Sequence, residues 1–191
     1  MQGIFTTGKC DVTLWSIGHS TRSLDELTAV LRAHGIETVA DVRSFPTSAR
    51  HPQFNRERLA DELPKAGIAY HWLGKLLGGY RKKKRPDSPH VALRNQSFRN
   101  YADHMETEEF AEGIRELLSL AQKQRIAYMC AERLWWRCHR SFVSDHLIAL
   151  CGAEVVHILD EKKTEPHRLH RTARVADGRL IYDVGETGRL L

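Results

Sequence analysis

The stretch RIAYMCAERLWWRCHRS, Arg125 to Ser141, decides how the chain reads. Ile126, Ala127, Tyr128 and Met129 form a short apolar run that leads into Cys130 and reads as a strand. Beyond Glu132 and two tryptophans, Cys138, His139 and Arg140 open a helical pattern that runs to Leu150. The stretch is therefore a strand-to-helix connection carrying cysteines, a carboxylate, an imidazole and guanidinium groups. In a parallel sheet such connections lie at the carboxyl ends of the strands, where open α/β folds bind ligands. The active or binding site is expected there.

Working outward, Thr13 to Ile17 reads as a first strand that runs into Gly18-His19-Ser20-Thr21. Ser23 and Glu26 then form a capping box for a helix whose apolar face is Leu24, Leu27, Val30 and Leu31. Thr38 to Val42 is a second strand, ending in Asp41-Val42-Arg43, and Asn55 caps a helix that Pro64 kinks or ends. Ile68 to Trp72 is a third strand, stopping at Gly74 and Leu77-Gly78-Gly79. From Tyr80 to Gln96 the chain is basic and aperiodic, the pattern of a long mobile loop that lids a site. A short helix from Ser97 to Met105 and a longer one capped by Thr107 lead to the central stretch, and Val155 to Leu159 is the strand after it. Arg174 to Tyr182 reads as a hairpin around Asp177-Gly178, whose positive φ angles suit a tight turn.

Strands alternating with helices predict an α/β fold: a mostly parallel sheet of about five strands, helices on both faces, and a C-terminal β-hairpin. Two strand orders are open: 3-2-1-4-5 would make strands one and four neighbours, and 2-1-3-4-5 would separate them by one strand. Residues 1–12 read as a loose leader and 13–191 as one domain, a length that supports a core without disulfides. No apolar run reaches the roughly 18 residues of a membrane helix, and no secretory signal opens the chain, so a cytoplasmic protein without a membrane partner is expected. Its four cysteines then read as free thiols, ligands or nucleophiles. A net charge of +5 favours an anionic partner. The block Arg81 to Arg85, RKKKR, reads as a solvated loop or a phosphate-contacting one.

The strand ends gather His19 and Ser20, Asp41 and Arg43, Gly78 and Gly79, then Cys130, Glu132, Cys138, His139 and Arg140 on one edge. This ordered set resembles the DUF488 family, a widespread group of small prokaryotic proteins of unknown function. The likeness rests on Ile17-Gly18-His19-Ser20, Asp41-Val42-Arg43 with Pro46 and Ser48, Leu77-Gly78-Gly79, Phe98, Tyr101-Ala102, Cys130-Ala131-Glu132, Cys138-His139-Arg140 and Val156-His157-Ile158. It spans residues 13 to 182. The resemblance implies a fold and signature positions, and no reaction.

Three chemistries compete at this edge. Cys130 and Cys138, with His139, are ligands suited to zinc or iron, completed by Glu132, His19, His167 or His170. Against it, adjacent Cys138 and His139 are awkward to turn toward one ion, and Cys130 alone suits apolar packing. A cysteine beside His139 and Arg140 at a helix start is also a candidate nucleophile. The run from Cys130 to Arg137 superficially resembles the phosphate-cradling loop of cysteine phosphatases and rhodaneses. Its arginine stands one position too far, and tryptophans replace the small residues.

The preferred reading is a hydrolase or transferase acting on a phosphate-bearing or nucleotide-like small anion. Arg43, Arg133 and Arg140 clamp phosphate oxygens, with Ser20, Gly78 and Gly79 also binding substrate. Glu132 is the general base or nucleophile, and His19 or His139 the general acid. Trp135 and Trp136 stack on a base or cover the core. The second reading is a nucleic-acid-binding module using Arg81 to Arg85, Arg94, Arg99 and the basic tail, although no recognised nucleic-acid motif is present.

Overall fold

A computed structural model describes residues 11–82 and 85–185. The leader read at residues 1–12 falls almost wholly outside them, as do Lys83 and Lys84 of the basic block. The first half of the chain comprises β1 (Thr13–Gly18), α1 (Leu24–Ala33), β2 (Thr38–Asp41), α2 (Arg56–Lys65), β3 (Ala69–Trp72) and α3 (Gly74–Leu77). The second comprises α4 (Gln96–His104), α5 (Glu108–Ala121), β4 (Ile126–Cys130), α6 (Arg140–Leu150), β5 (Glu154–Ile158), β6 (Thr164–Pro166), β7 (Ala173–Ala176) and β8 (Arg179–Tyr182). Among the described residues, no helix is long and apolar enough to cross a membrane.

The expected α/β class holds: a six-stranded sheet and a separate β7-β8 hairpin. The strand order is β3-β2-β4-β1-β5-β6, with β6 alone antiparallel. Strands one and four are neighbours, as the first of the two orders would have them, but neither order is the observed one, because β4 inserts between β1 and β2. The reason is its burial: Ile126 and Tyr128 pack on one face, and Ala127 and Met129 on the other. A strand apolar on both sides belongs at the centre of the sheet. This order places Cys130, the last residue of β4, between the ends of β1 and β2. His19 N–H donates to the Cys130 carbonyl at 2.9 Å, and Val42 N–H to the Met129 carbonyl at 2.9 Å.

Helices cover both faces. Leu27, Val30 and Leu31 of α1 and Leu59 and Leu63 of α2 pack with Ile17, Val39 and Met129. On the other face α3 to α6 and β8 contribute Leu77, Tyr101, Phe110, Phe142 and Tyr182. The Ser23 side chain caps α1 and Glu26 returns the bond, as the capping box predicts. Thr107 caps α5. At α2 the cap differs: Asn55 gives no side-chain bond to the helix, and its Oδ1 accepts instead from Ser48 N at 2.6 Å. Pro64 is accommodated in the last turn of α2 rather than ending it.

The loop between α3 and α4 is pinned at several points rather than free over the site. Arg85 pairs with Glu106 at 2.8 Å, Ser88 donates to Asp103 at 2.7 Å, and Ala92 N–H donates to the Tyr182 carbonyl at 3.0 Å.

Candidate active site

Two cysteines and a histidine meet where β4 runs out and α6 begins. The sulfurs of Cys130 and Cys138 and the Nδ1 atom of His139 all lie within 4.8 Å of one another. His139 Nδ1 is 3.6 Å from the Cys138 sulfur and 4.0 Å from that of Cys130. Its other nitrogen, Nε2, sits 3.0 Å from the Val42 carbonyl, which can only accept, so Nε2–H is the donor there and Nδ1 is the nitrogen that faces the sulfurs. Gly79 is needed beside this ring: a Cβ there would lie 2.6 Å from His139 Nδ1.

The two thiols are driven apart in acidity. The hydrogen bond to Cys138, and then burial, push Cys130 well above the usual thiol range. Burial also opposes a thiolate at Cys138. There, the hydrogen bond from Cys130, with His139 and Arg140 nearby, outweighs it and holds Cys138 well below that range.

Beneath this floor two of the three arginines expected as clamps, Arg43 and Arg140, are turned inward. Arg43 Nε and Nη2 grip both oxygens of Asp41 at 2.8 and 2.5 Å, and Nη2 also donates to the Phe54 carbonyl at 2.8 Å. Its Nη1 is 3.2 Å from His19 Nε2. His19 is buried and stacked on Phe54, with Nδ1 at 2.9 Å from the Ser20 carbonyl, so both ring nitrogens are engaged. Burial first and Arg43 second lower its pKa to about 4, which keeps it neutral. Arg140, 1% exposed, donates to Ser16 Oγ at 3.1 Å, to the Glu132 carbonyl and to the Cys138 sulfur at 3.5 Å. No carboxylate pairs with it among the described residues.

A second buried network continues from Ser16. His157 Nδ1 lies 3.1 Å from Ser16 Oγ, its Nε2 2.9 Å from His167 Nδ1, and His167 Nε2 2.8 Å from Asp145. Tyr182 donates to the other Asp145 oxygen at 3.0 Å, which ties the hairpin to α6. His167 and His170 serve Asp145, by a side chain and a backbone N–H respectively, and stand apart from the cysteines.

The His157 environment has a measurable consequence. Burial, then His167 and Arg140, lower its pKa from 6.5 to about 2, and burial lowers His146 to about 4. Between the ordinary value and these folded values, the unfolded chain binds protons that the native one excludes. Stability present above pH 6.5 is therefore lost as the pH falls, by up to ~1.4 kcal/mol per pH unit for each such histidine. Urea unfolding should show a lower midpoint at pH 5 than at pH 7, and a flat profile would refute the burial of these rings.

Above the floor opens a cavity of about 660 Å³. His19, Ser20, Glu132, Arg133, Cys130, Cys138 and His139 line it, as do Gly79, Tyr80, Phe98, Tyr101, His51 and Arg137. Of the residues read from the sequence, Arg43, Arg140 and Gly78 lie outside the lining; Gly78 is packed against Ser44 and the Gly74 carbonyl. Glu132 is exposed and one of its oxygens accepts from Leu134 N at 3.1 Å. Arg133 and Arg137 are exposed, with no side-chain hydrogen bond or ion pair among the described residues. Ser20 adopts a left-handed backbone, φ 55°.

Tyr101, Phe98, Tyr80, His51 and Arg137 also line the cavity without belonging to the expected site; of these, Phe98 and Tyr101 stand at positions of the DUF488 resemblance, which is the signal that marks them. Trp135 stacks on His157 with ring centroids 4.2 Å apart, so it covers the buried network rather than the cavity, and Trp136 borders a separate cleft. The basic surface is partly committed to the fold: Arg81 pairs with Glu109, Arg85 with Glu106, and Arg99 donates to the Leu93 carbonyl.

A family model described as a domain of unknown function, DUF488, matches residues 23–147. The match takes in Asp41, Arg43, Gly79 and the whole run from Cys130 to Arg140, and it leaves out His19 and His157. No curated protein and no solved structure matches the chain.

Proposed function

The chain belongs to the DUF488 family, and we propose that it is an enzyme that binds a nucleotide-like, phosphate-bearing small molecule above Cys130, Cys138 and His139 and hydrolyses it or transfers a group from it. The observation that carries this reading is the mixture of chemistries around one cavity. The rings of Tyr80 and Phe98, the exposed guanidinium groups of Arg133 and Arg137, and a thiol-imidazole floor all line the same space. Flat bases stack on aromatic rings, and phosphates accept paired hydrogen bonds from arginine. A volume of about 660 Å³ falls in the range of small-molecule sites.

The roles divide differently from those the sequence suggests. Arg133 and Arg137 take the anion, while Arg43 and Arg140 hold the loops that shape the floor. Glu132 is the general base, since it is exposed at the cavity rim and keeps one oxygen free of the Leu134 bond. His19 and the Nε2–H of His139 are committed to backbone carbonyls and serve positioning.

Titration of the four common nucleoside 5′-monophosphates by calorimetry tests this. At least one should bind, and the Arg133→Ala/Arg137→Ala double variant should bind it at least ~10-fold more weakly, about 1.4 kcal/mol. Lys82→Ala, outside this cavity's lining, should leave the affinity unchanged. Equal affinity in the double variant, or no binding at millimolar ligand, would sink the proposal.

A further inference from the structure

We propose that Cys130, Cys138 and His139 bind one divalent transition-metal ion of the zinc class, with a coordination position open to the cavity. Zinc bonds of about 2.3 Å to sulfur and about 2.0–2.1 Å to nitrogen, at tetrahedral angles, set sulfur and nitrogen about 3.6 Å apart. His139 Nδ1 lies 3.6 Å from one sulfur and 4.0 Å from the other, close to that edge length. Two thiolates and an imidazole select a borderline ion over magnesium or calcium. Three protein donors leave a fourth position, the arrangement of catalytic rather than structural zinc.

The surroundings fit as well. A metal-bound histidine needs its second nitrogen held by an acceptor, and the Val42 carbonyl does so at 3.0 Å. Arg140 Nε donates to the Cys138 sulfur at 3.5 Å, the outer hydrogen bond expected of a ligating thiolate. Gly79 leaves the space beside His139 Nδ1 open. Consecutive ligands are possible here because the backbone changes between them. Cys138 is extended (φ −127°, ψ 150°) and His139 helical (φ −57°, ψ −16°), which brings both donor atoms to one side.

The charges also agree. A divalent ion and two thiolates sum to zero, so the buried Arg140, with no carboxylate partner among the described residues, leaves a net positive charge next to the Cys138 sulfur. Hydroxide or an anionic substrate oxygen is then the favoured fourth ligand. This assignment stands independently of the nucleotide reading, because it concerns the floor alone.

The test is elemental analysis of untagged protein purified without chelators, followed by cobalt(II) titration of the reduced, metal-stripped full chain. The expected results are about one equivalent of zinc or iron, and a cobalt spectrum with thiolate charge-transfer bands and the intensity of a tetrahedral site. Cys138→Ser and His139→Ala should each fall below about a tenth of an equivalent. The cobalt spectrum of the wild type stays decisive if a variant fails to fold. A wild-type chain that takes up no metal, shows no thiolate band, or retains its metal in folded Cys138→Ser would overturn the proposal. So would recovery of the protein with Cys130 and Cys138 joined as a stable disulfide that, once reduced, leaves cobalt unbound.

Discussion

Replacing Asp41 by alanine should lower the unfolding free energy by about 3–5 kcal/mol, because it leaves a buried arginine without its partner. Asp41 is fully buried and accepts from Arg43 N, Nε and Nη2 and from the Tyr70 hydroxyl. Arg43 is 7% exposed, so its charge is held almost wholly out of water once the carboxylate is gone. The damage spreads to the site, since Arg43 also meets His19 and the Phe54 carbonyl. For a chain of this size the loss corresponds to a fall in Tm of roughly 10 °C. Urea denaturation measures it directly, and a loss under about 1 kcal/mol would show that this network contributes little.

Glu132→Gln is expected to have the opposite signature: turnover reduced at least ~100-fold, with stability within about 0.5 kcal/mol of the wild type. Glutamine keeps a carbonyl oxygen that can accept from Leu134 N, so the loop loses no hydrogen bond. What disappears is the basicity. Comparing the rate on whichever nucleotide binds with the urea midpoint of the same preparation separates the two effects. Unchanged turnover would remove Glu132 from the reaction, and unfolding would make it a structural residue.

Much of the fold is legible along the chain because the signals are local. Ser23 and Glu26 announce α1, Thr107 announces α5, and Asp177-Gly178 marks the turn between β7 and β8, where both residues have positive φ. Strand order is not local. It turns on which strand is buried on both faces, and the alternate packing of Ile126, Ala127, Tyr128 and Met129 becomes visible only once both helical layers are in place. The sixth strand is three residues long and ends in Pro166, and α3 is a single turn over GKLL; neither is long enough to show a period.

The gathering of polar residues at one sheet edge is also legible, since it follows from strand and helix alternation. Which of them face the cavity is not. Arg43 and Arg140 look like anion clamps in the sequence, yet both point inward. For Arg43 a signal existed: Asp41, two positions earlier, is on the same side of the strand end and becomes its partner. Arg140 has no such nearby acid, and its contacts with Ser16 and the Glu132 carbonyl depend on the pairing of β1 with β4. The chain Ser16, His157, His167 and Asp145 likewise joins residues that only the β1-β5 and β5-β6 registers bring together.

What occupies the cavity above Cys130, Cys138 and His139 decides the function of the protein. The most direct measurement is a crystal structure of the protein with the nucleoside 5′-monophosphate that binds best in solution. The phosphate should contact Arg133 and Arg137, with the base against Tyr80 or Phe98 and the ligand within reach of Glu132. A nucleotide bound elsewhere, such as the cleft formed by Lys82, Arg85 and Glu109, with the cavity filled only by solvent, would contradict it.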